Sequence, residues 1–93
     1  MKAYVVGVKR SSGQFTNQQT GQVIDFDNVV FHVNKPMINS GEYGDEVFTV
    51  SVPSRLVSEP NIDVYVGSTC SFEVESLDRS KRAYKASEVV IVK

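Results

Sequence analysis

The amino-acid sequence predicts an all-β fold, a small five-stranded barrel with at most one short helical turn. Several short segments rich in Val, Phe, Tyr and Thr alternate apolar with polar residues, as β-strands do. Gly, Asn, Ser and Pro separate these segments and mark turns. No segment keeps a 3.6-residue apolar period over three turns, so regular helices are not expected.

Length and composition predict one domain over residues 1–93. The chain is 41% hydrophobic and 23% charged, as ordinary globular domains are, and 93 residues leave no room for two cores. The longest apolar runs are a few residues, so no membrane span is predicted. The apolar stretch after Met1 is too short for a signal peptide. We therefore expect a cytoplasmic protein without a membrane partner.

The predicted elements follow the chain as a meander. Strands are expected at 3–9, 23–34, 46–52, 69–76 and 83–92, with a short additional strand at 64–66. A loop is expected at 10–22, where Gly13 and Gly21 permit turns, and it forms a protruding hairpin wing with the strand that follows. A single helical turn is expected after Pro53, and a hairpin turn at 78–82. This pattern fits an oligonucleotide-binding (OB) barrel, with an SH3-like barrel as the competing fold.

The second strand has two apolar faces. Val29, Phe31 and Val33 fall on the face expected to enter the core. The other face carries Ile24, Phe26, Asn28, Val30 and His32. A solvated strand face should be polar. Either a second subunit or sheet covers this face, or nucleic-acid bases stack on it.

Charge is distributed unevenly along a chain whose net charge is −1. Residues 1–20 carry +3, residues 21–77 carry −7, and residues 78–93 carry +3. A basic patch would exist on this nearly neutral protein if the two ends met in space.

Cations and aromatic rings recur together. Tyr84 lies among the basic residues Arg79, Lys81, Arg82 and Lys85. Phe15 follows Lys9 and Arg10, and Tyr43 supplies a further ring. Such groups offer phosphate contacts and stacking surfaces for single-stranded nucleic acid. The alternative for the hairpin is a charged turn that keeps a sheet edge soluble.

Catalytic and metal-binding patterns are not found. One cysteine (Cys70) and one histidine (His32) form neither a disulfide nor a multi-cysteine zinc site. Asp25 and Asp27 share a strand face and could join Asp45 or Glu46 at a cation, although exposed solvated carboxylates are the favoured interpretation. The chain is expected to be no enzyme and to need no metal or cofactor.

A set of short motifs, in order, resembles a known family. Gln14-Phe15-Thr16 resembles a Gln-Phe-Thr wing opening, and Gly21, Ile24, Phe26 and residues 30–33 resemble the return strand. Glu42-Tyr43 precedes a Val-rich strand, Ser71-Phe72-Glu73-Val74 resembles Ser-Phe-Lys-Val, and residues 90–93 resemble a basic, valine-containing end. The chain thus resembles the gene V type of single-stranded DNA-binding, helix-destabilising proteins of filamentous bacteriophages.

This resemblance implies a homodimeric OB-type protein. It places DNA contacts at Ile24 and Phe26, a further contact at His32, and the family's exposed tyrosine at Tyr43. The chain has Asn17, Gln18 and Gln19 where the family wing has arginines, which moves the basic contacts to Arg10 and to the hairpin from Arg79 to Lys85. That hairpin lies at the dimer axis in the family.

The hypothesis is a protein that coats single-stranded DNA with little sequence preference during phage or mobile-element replication, in the cytoplasm of a bacterial host. Its predicted contacts are Lys9, Arg10, Phe15, Ile24, Phe26, His32, Tyr43, Arg79, Lys81, Arg82, Tyr84 and Lys85. The alternative is a protein-interaction or assembly module. An RNA-binding barrel is a third hypothesis, which the residues alone do not separate from DNA binding.

Overall fold

Alternating apolar side chains build a closed β-barrel in a computed structural model that describes residues 1–92. The five strands are β1 (Lys2–Thr16), β2 (Val23–Pro36), β3 (Asp45–Pro53), β4 (Thr69–Asp78) and β5 (Ala83–Ile91). Their order around the barrel is β1-β2-β3-β5-β4, and β1 pairs with β4 to close it. β3 and β5 are parallel, whereas the other pairs are antiparallel. The predicted OB-type barrel is confirmed.

The core is filled by inward residues of all five strands. Val29, Phe31 and Val33 of β2 are fully buried, as their alternation predicts. Phe31 packs edge-to-face on Tyr65 and Phe72, with ring centroids 5.2 and 5.4 Å apart. The remaining buried residues are Ala3, Val5, Phe48, Val50, Val52, Cys70, Ala86 and Val89. Burial raises the pKa of the Cys70 thiol above its ordinary value, in keeping with a packing role.

A β-bulge changes which residues of β1 face outward. The register pairs Val5 with Val33 and then Gly7 with His32, so Val6 is the extra residue. Strict alternation would place Val5, Gly7 and Lys9 on one face. Because of the bulge, Val5 is buried while Gly7 and Lys9 belong to the outer surface.

The expected loop at 10–22 is mostly strand. β1 continues to Thr16, and only residues 17–22 connect it to β2. The Ser, Gly and Gln residues of this segment have low strand propensity. Pairing along the whole hairpin, from Arg10 opposite Val29 to Thr16 opposite Val23, overrides that propensity.

The connection between β3 and β4 holds two 3-10 turns. The turn expected after Pro53 is present at Ser54–Leu56. The strand expected at 64–66 is wrong, because Ile62–Tyr65 forms a second 3-10 turn that sends the Tyr65 ring into the core. Gly67, at φ 85°, then leads into β4.

No helix within residues 1–92 is long and apolar enough to cross a membrane.

Candidate nucleic-acid interface

A two-stranded ribbon projects from the barrel. Pairing between β2 and β3 ends at Asn28 opposite Pro53, so residues 12–27 extend beyond the third strand, and we call this ribbon the wing. At its base, the Ser54 hydroxyl donates a 2.7 Å hydrogen bond to Asp27 Oδ1. At its tip, Asn17 Oδ1 accepts a 2.9 Å hydrogen bond from the Gln19 backbone N–H. The wing is therefore braced at both ends.

One face of the wing is aromatic. Phe15 pairs with Ile24 and Gly13 with Phe26, and these positions share one side of the ribbon. The Phe15 and Phe26 ring centroids are 6.4 Å apart with a 40° tilt, and Phe15 is 52% exposed. A Cβ on Gly13 would lie 3.0 Å from Phe26 Cζ, so the missing side chain lets the Phe26 ring lie across the ribbon. We call Phe15, Ile24 and Phe26 the aromatic wing face.

The opposite wing face is polar and acidic. Asp25 pairs with Gln14, and Asp27 pairs with Ser12. Both carboxylates are exposed on the side away from Phe26. A polyanion therefore meets repulsion on one face of the wing and uncharged rings on the other.

The aromatic wing face continues onto the outer surface of the barrel. Lys9 pairs with Val30, Val30 with Ser51, and Ser51 with Lys85. These four residues form a row across β1, β2, β3 and β5 that spans about 14 Å at ordinary strand spacing. His32 lies in the next row, between Gly7 and Thr49. Two lysines thus flank the outer face of β2, below the wing.

Arg10 does not join this face. It pairs with Val29 and lies on the other side of β1 from Lys9. The two adjacent cations that the sequence suggests as one pair therefore point to opposite surfaces.

The turn between β4 and β5 is held rigidly. Asp78 Oδ1 accepts hydrogen bonds from the Ser80 hydroxyl (2.7 Å), the Ser80 N–H (3.1 Å) and the Lys81 N–H (3.3 Å). The Arg82 carbonyl accepts a 3.0 Å hydrogen bond from the Thr49 N–H of β3. Arg79, Lys81 and Arg82 are exposed. The turn therefore presents three cations from a fixed backbone.

Asp78 gives the turn a pH dependence. Its hydrogen bonds with the Ser80 hydroxyl and the Lys81 N–H hold the pKa of the carboxyl below its ordinary value of 3.8. A carboxyl group whose pKa is lower in the folded than in the unfolded state stabilises the fold at pH values above its unfolded-state pKa. This stabilisation is lost as pH falls through the folded-state pKa. Asp78→Ala should lower the melting temperature more at about pH 6 than at about pH 3. Glu75→Ala, which removes an exposed carboxylate earlier in β4, is the control. If Asp78→Ala lowered the melting temperature equally at both pH values, the proposed role of Asp78 would be contradicted.

The structure separates Tyr84 and Tyr43 from the wing. Tyr84 is half-buried and packs edge-to-face on Phe48, with ring centroids 4.8 Å apart. Tyr43 is 89% exposed in the connection between β2 and β3. Because β2 runs from the wing tip to Pro36, this connection lies at the other end of the barrel.

The two basic ends of the chain approach each other beside Glu46. Lys2 and Lys35 line one cavity with Glu46, and Arg79 and Arg82 line the neighbouring cavity with the same residue. Lys93, part of the basic C-terminal segment, lies outside the described residues. Sequence reasoning missed Lys35 and Glu46 as members of this surface, because only the β2–β3 and β3–β5 pairings bring them to it.

Among residues 1–92, no group of three or more His, Cys, Asp or Glu side chains is placed to hold a metal ion. The chain matches no family model, no curated protein and no solved structure. The geometry of the wing and the barrel surface is therefore the ground for a functional proposal.

Proposed function

We propose that this chain binds single-stranded DNA along the outer face of β2, with little sequence preference. One observation carries the proposal: the aromatic wing face and the Lys9–Lys85 row lie on the same continuous side of the sheet. In OB-type barrels the oligonucleotide-binding surface is formed by strands 2 and 3 together with the β1–β2 and β4–β5 loops. Here those two loops are the wing and the basic turn.

The chemistry of this surface suits unpaired bases. Phe15 and Phe26 offer rings on which successive bases stack, and each stack contributes about 1–3 kcal/mol. In a duplex the base faces are already stacked on one another, so they are closed to these rings. Lys9 and Lys85 flank the same face and would neutralise phosphates. The acidic side of the wing would keep the DNA on the aromatic side.

The resemblance to gene V type proteins extends the proposal. It adds a homodimer, replication of phage or mobile-element DNA, and the cytoplasm of a bacterial host. Exposed apolar residues elsewhere on the surface, among them Tyr4 (45%), Val6 (49%) and Val66 (47%), suit contact with a second protein surface. The same residues favour a protein-interaction module as the second candidate function.

A binding titration tests the proposal. Labelled oligo-dT is titrated with the protein at low and high salt, with duplex DNA and oligo-U as comparison ligands. Tight, salt-sensitive binding to oligo-dT and weak binding to the duplex would support it. Tighter binding to oligo-U would identify RNA as the ligand. No binding to either single strand at low salt would overturn the proposal and leave the interaction module.

The basic turn should set part of the salt dependence. Binding to single strands releases about 0.7 counterion per phosphate contact. Replacing Lys81 by alanine should therefore lower the slope of log affinity against log salt by about 0.7. Arg55→Ala, which removes a cation from the first 3-10 turn, should leave the slope unchanged. An unaltered slope in Lys81→Ala would exclude this lysine of the turn from the phosphate contacts.

A further inference from the structure

A groove separates the β4–β5 turn from the start of β3. Its volume is about 160 Å³. Its apolar surface is formed by Val47, Phe48, Leu77 and Tyr84. Its charged groups are Glu46, Arg79 and Arg82. An apolar cavity of about this volume, 150 Å³, holds one benzene ring, so this open groove has room for part of a planar base.

The backbone fixes the groove in shape. The edge-to-face contact between Phe48 and Tyr84 orders its floor, and the Thr49 N–H holds Arg82 to β3. Arg82 adopts φ 50°, and it is the one non-glycine residue with positive φ among residues 1–92. Glycine or asparagine occupies this conformation with less strain. An arginine in a strained position beside a groove points to a use for its guanidinium group.

The charges of the groove select its ligand. Two arginines alone would suit a phosphate, but the Glu46 carboxylate that lines the same groove repels an anion. A neutral group with donors on one edge and acceptors on another suits both charges. Guanine offers N1–H and N2–H donors on one edge and O6 and N7 acceptors on another. A carboxylate can accept both donors, and an arginine can donate to both acceptors.

We propose that the groove is a guanine-selective subsite for the single-stranded DNA that the chain is proposed to bind. This inference rests on the proposed function. Glu46 accepts the N1–H and N2–H groups, Arg82 or Arg79 donates to O6 and N7, and the base packs against Tyr84. The groove lies at the start of β3, at the end of the barrel away from the wing, and the outer face of β2 leads towards it. His32 on that face pairs with Thr49, whose N–H donates a hydrogen bond to the Arg82 carbonyl.

Base substitution in the ligand tests the subsite. The probes are oligo-dT strands of one length in which isolated thymidines are replaced by deoxyguanosine or by deoxyinosine. Inosine keeps N1–H, O6 and N7 but lacks the N2 amino group, so it removes one donor to Glu46. The guanine strand should bind about fivefold or more tightly than the inosine strand, the lower range of base discrimination by a bidentate pair.

Protein substitutions complete the test. Glu46→Ala should abolish the difference between guanine and inosine while oligo-dT still binds, and Glu73→Ala, an equal charge change on β4, should preserve it. Arg82→Gly should reduce the guanine preference without lowering the melting temperature, because glycine relieves the positive φ.

The outcomes separate this inference from the proposed function. Oligo-dT binding with equal affinity for guanine and inosine strands overturns the subsite alone. Retention of the preference in Glu46→Ala also overturns it. Failure of every single strand to bind at low salt overturns both.

Discussion

Phe26→Ala is expected to weaken binding to oligo-dT by about 5- to 150-fold, the equivalent of one lost base stack of about 1–3 kcal/mol. The ring lies across Gly13 and tilts against Phe15 at a centroid distance of 6.4 Å. It therefore presents a fixed stacking surface. Because stacking involves no counterion, the loss should be similar at every salt concentration, unlike the effect of removing lysines.

Val23→Ala is the matched control for this variant. Val23 is 57% exposed and lies on the other face of the wing, opposite Thr16. Its removal takes away apolar surface from the same ribbon but leaves the aromatic wing face intact. Titration of both variants at two salt concentrations, with circular dichroism to verify folding, measures the effect. Equal affinities for the two variants would remove the aromatic wing face from the proposed interface.

The alternation of side chains along β2 is the sequence feature that best predicts which residues face the core. The side-chain period of two assigns Val29, Phe31 and Val33 to the core and the face with Phe26 and His32 to the outside. The same rule works for β3 and for the first half of β4, up to the register shifts around Val74. It fails in β1, because the bulge at Val6 shifts the register by one residue. The local signal for that bulge is Gly7, because an isolated glycine inside a strand often marks a bulge.

The wing and the groove depend on pairings that local patterns do not contain. Ser11, Ser12 and Gln14 become strand because β2 lies beside them, although their own propensities favour a loop. Glu46 lines one groove with Arg79 and Arg82 because β3 and β5 are parallel neighbours, although a long stretch of chain separates the two strands. The cluster of basic residues identifies the β4–β5 turn from the sequence. Glu46, the acidic residue of the proposed guanine subsite, is distant from that turn in sequence.

Stability and proposed binding use different aromatic residues of the same hairpin. Phe15 and Phe26 lie on the wing beyond the third strand, and Phe31 lies five residues after Phe26, inside the barrel. The odd-numbered spacing places Phe31 on the opposite face of β2. Substitutions of these rings should therefore separate the two properties.

Phe31→Ala is expected to cost about 3–5 kcal/mol of the free energy of unfolding, since it deletes a fully buried ring and leaves a cavity. It also removes both edge-to-face contacts, with Tyr65 at 5.2 Å and Phe72 at 5.4 Å. Domains of this size have about 5–14 kcal/mol to lose. The melting temperature should fall by roughly 12–40 °C, at about 4–8 °C per kcal/mol.

Urea denaturation and thermal melting measure this loss, and Phe15→Ala serves as the control. Phe15 is 52% exposed, so its truncation should cost less than about 1 kcal/mol while weakening oligo-dT binding. Phe31→Ala should show the reverse at a temperature where it remains folded: lower stability with oligo-dT affinity unchanged. A wild-type melting temperature for Phe31→Ala would contradict the barrel core. Stability loss in Phe15→Ala equal to that in Phe31→Ala would mean that the wing packs against further protein and is not free for DNA.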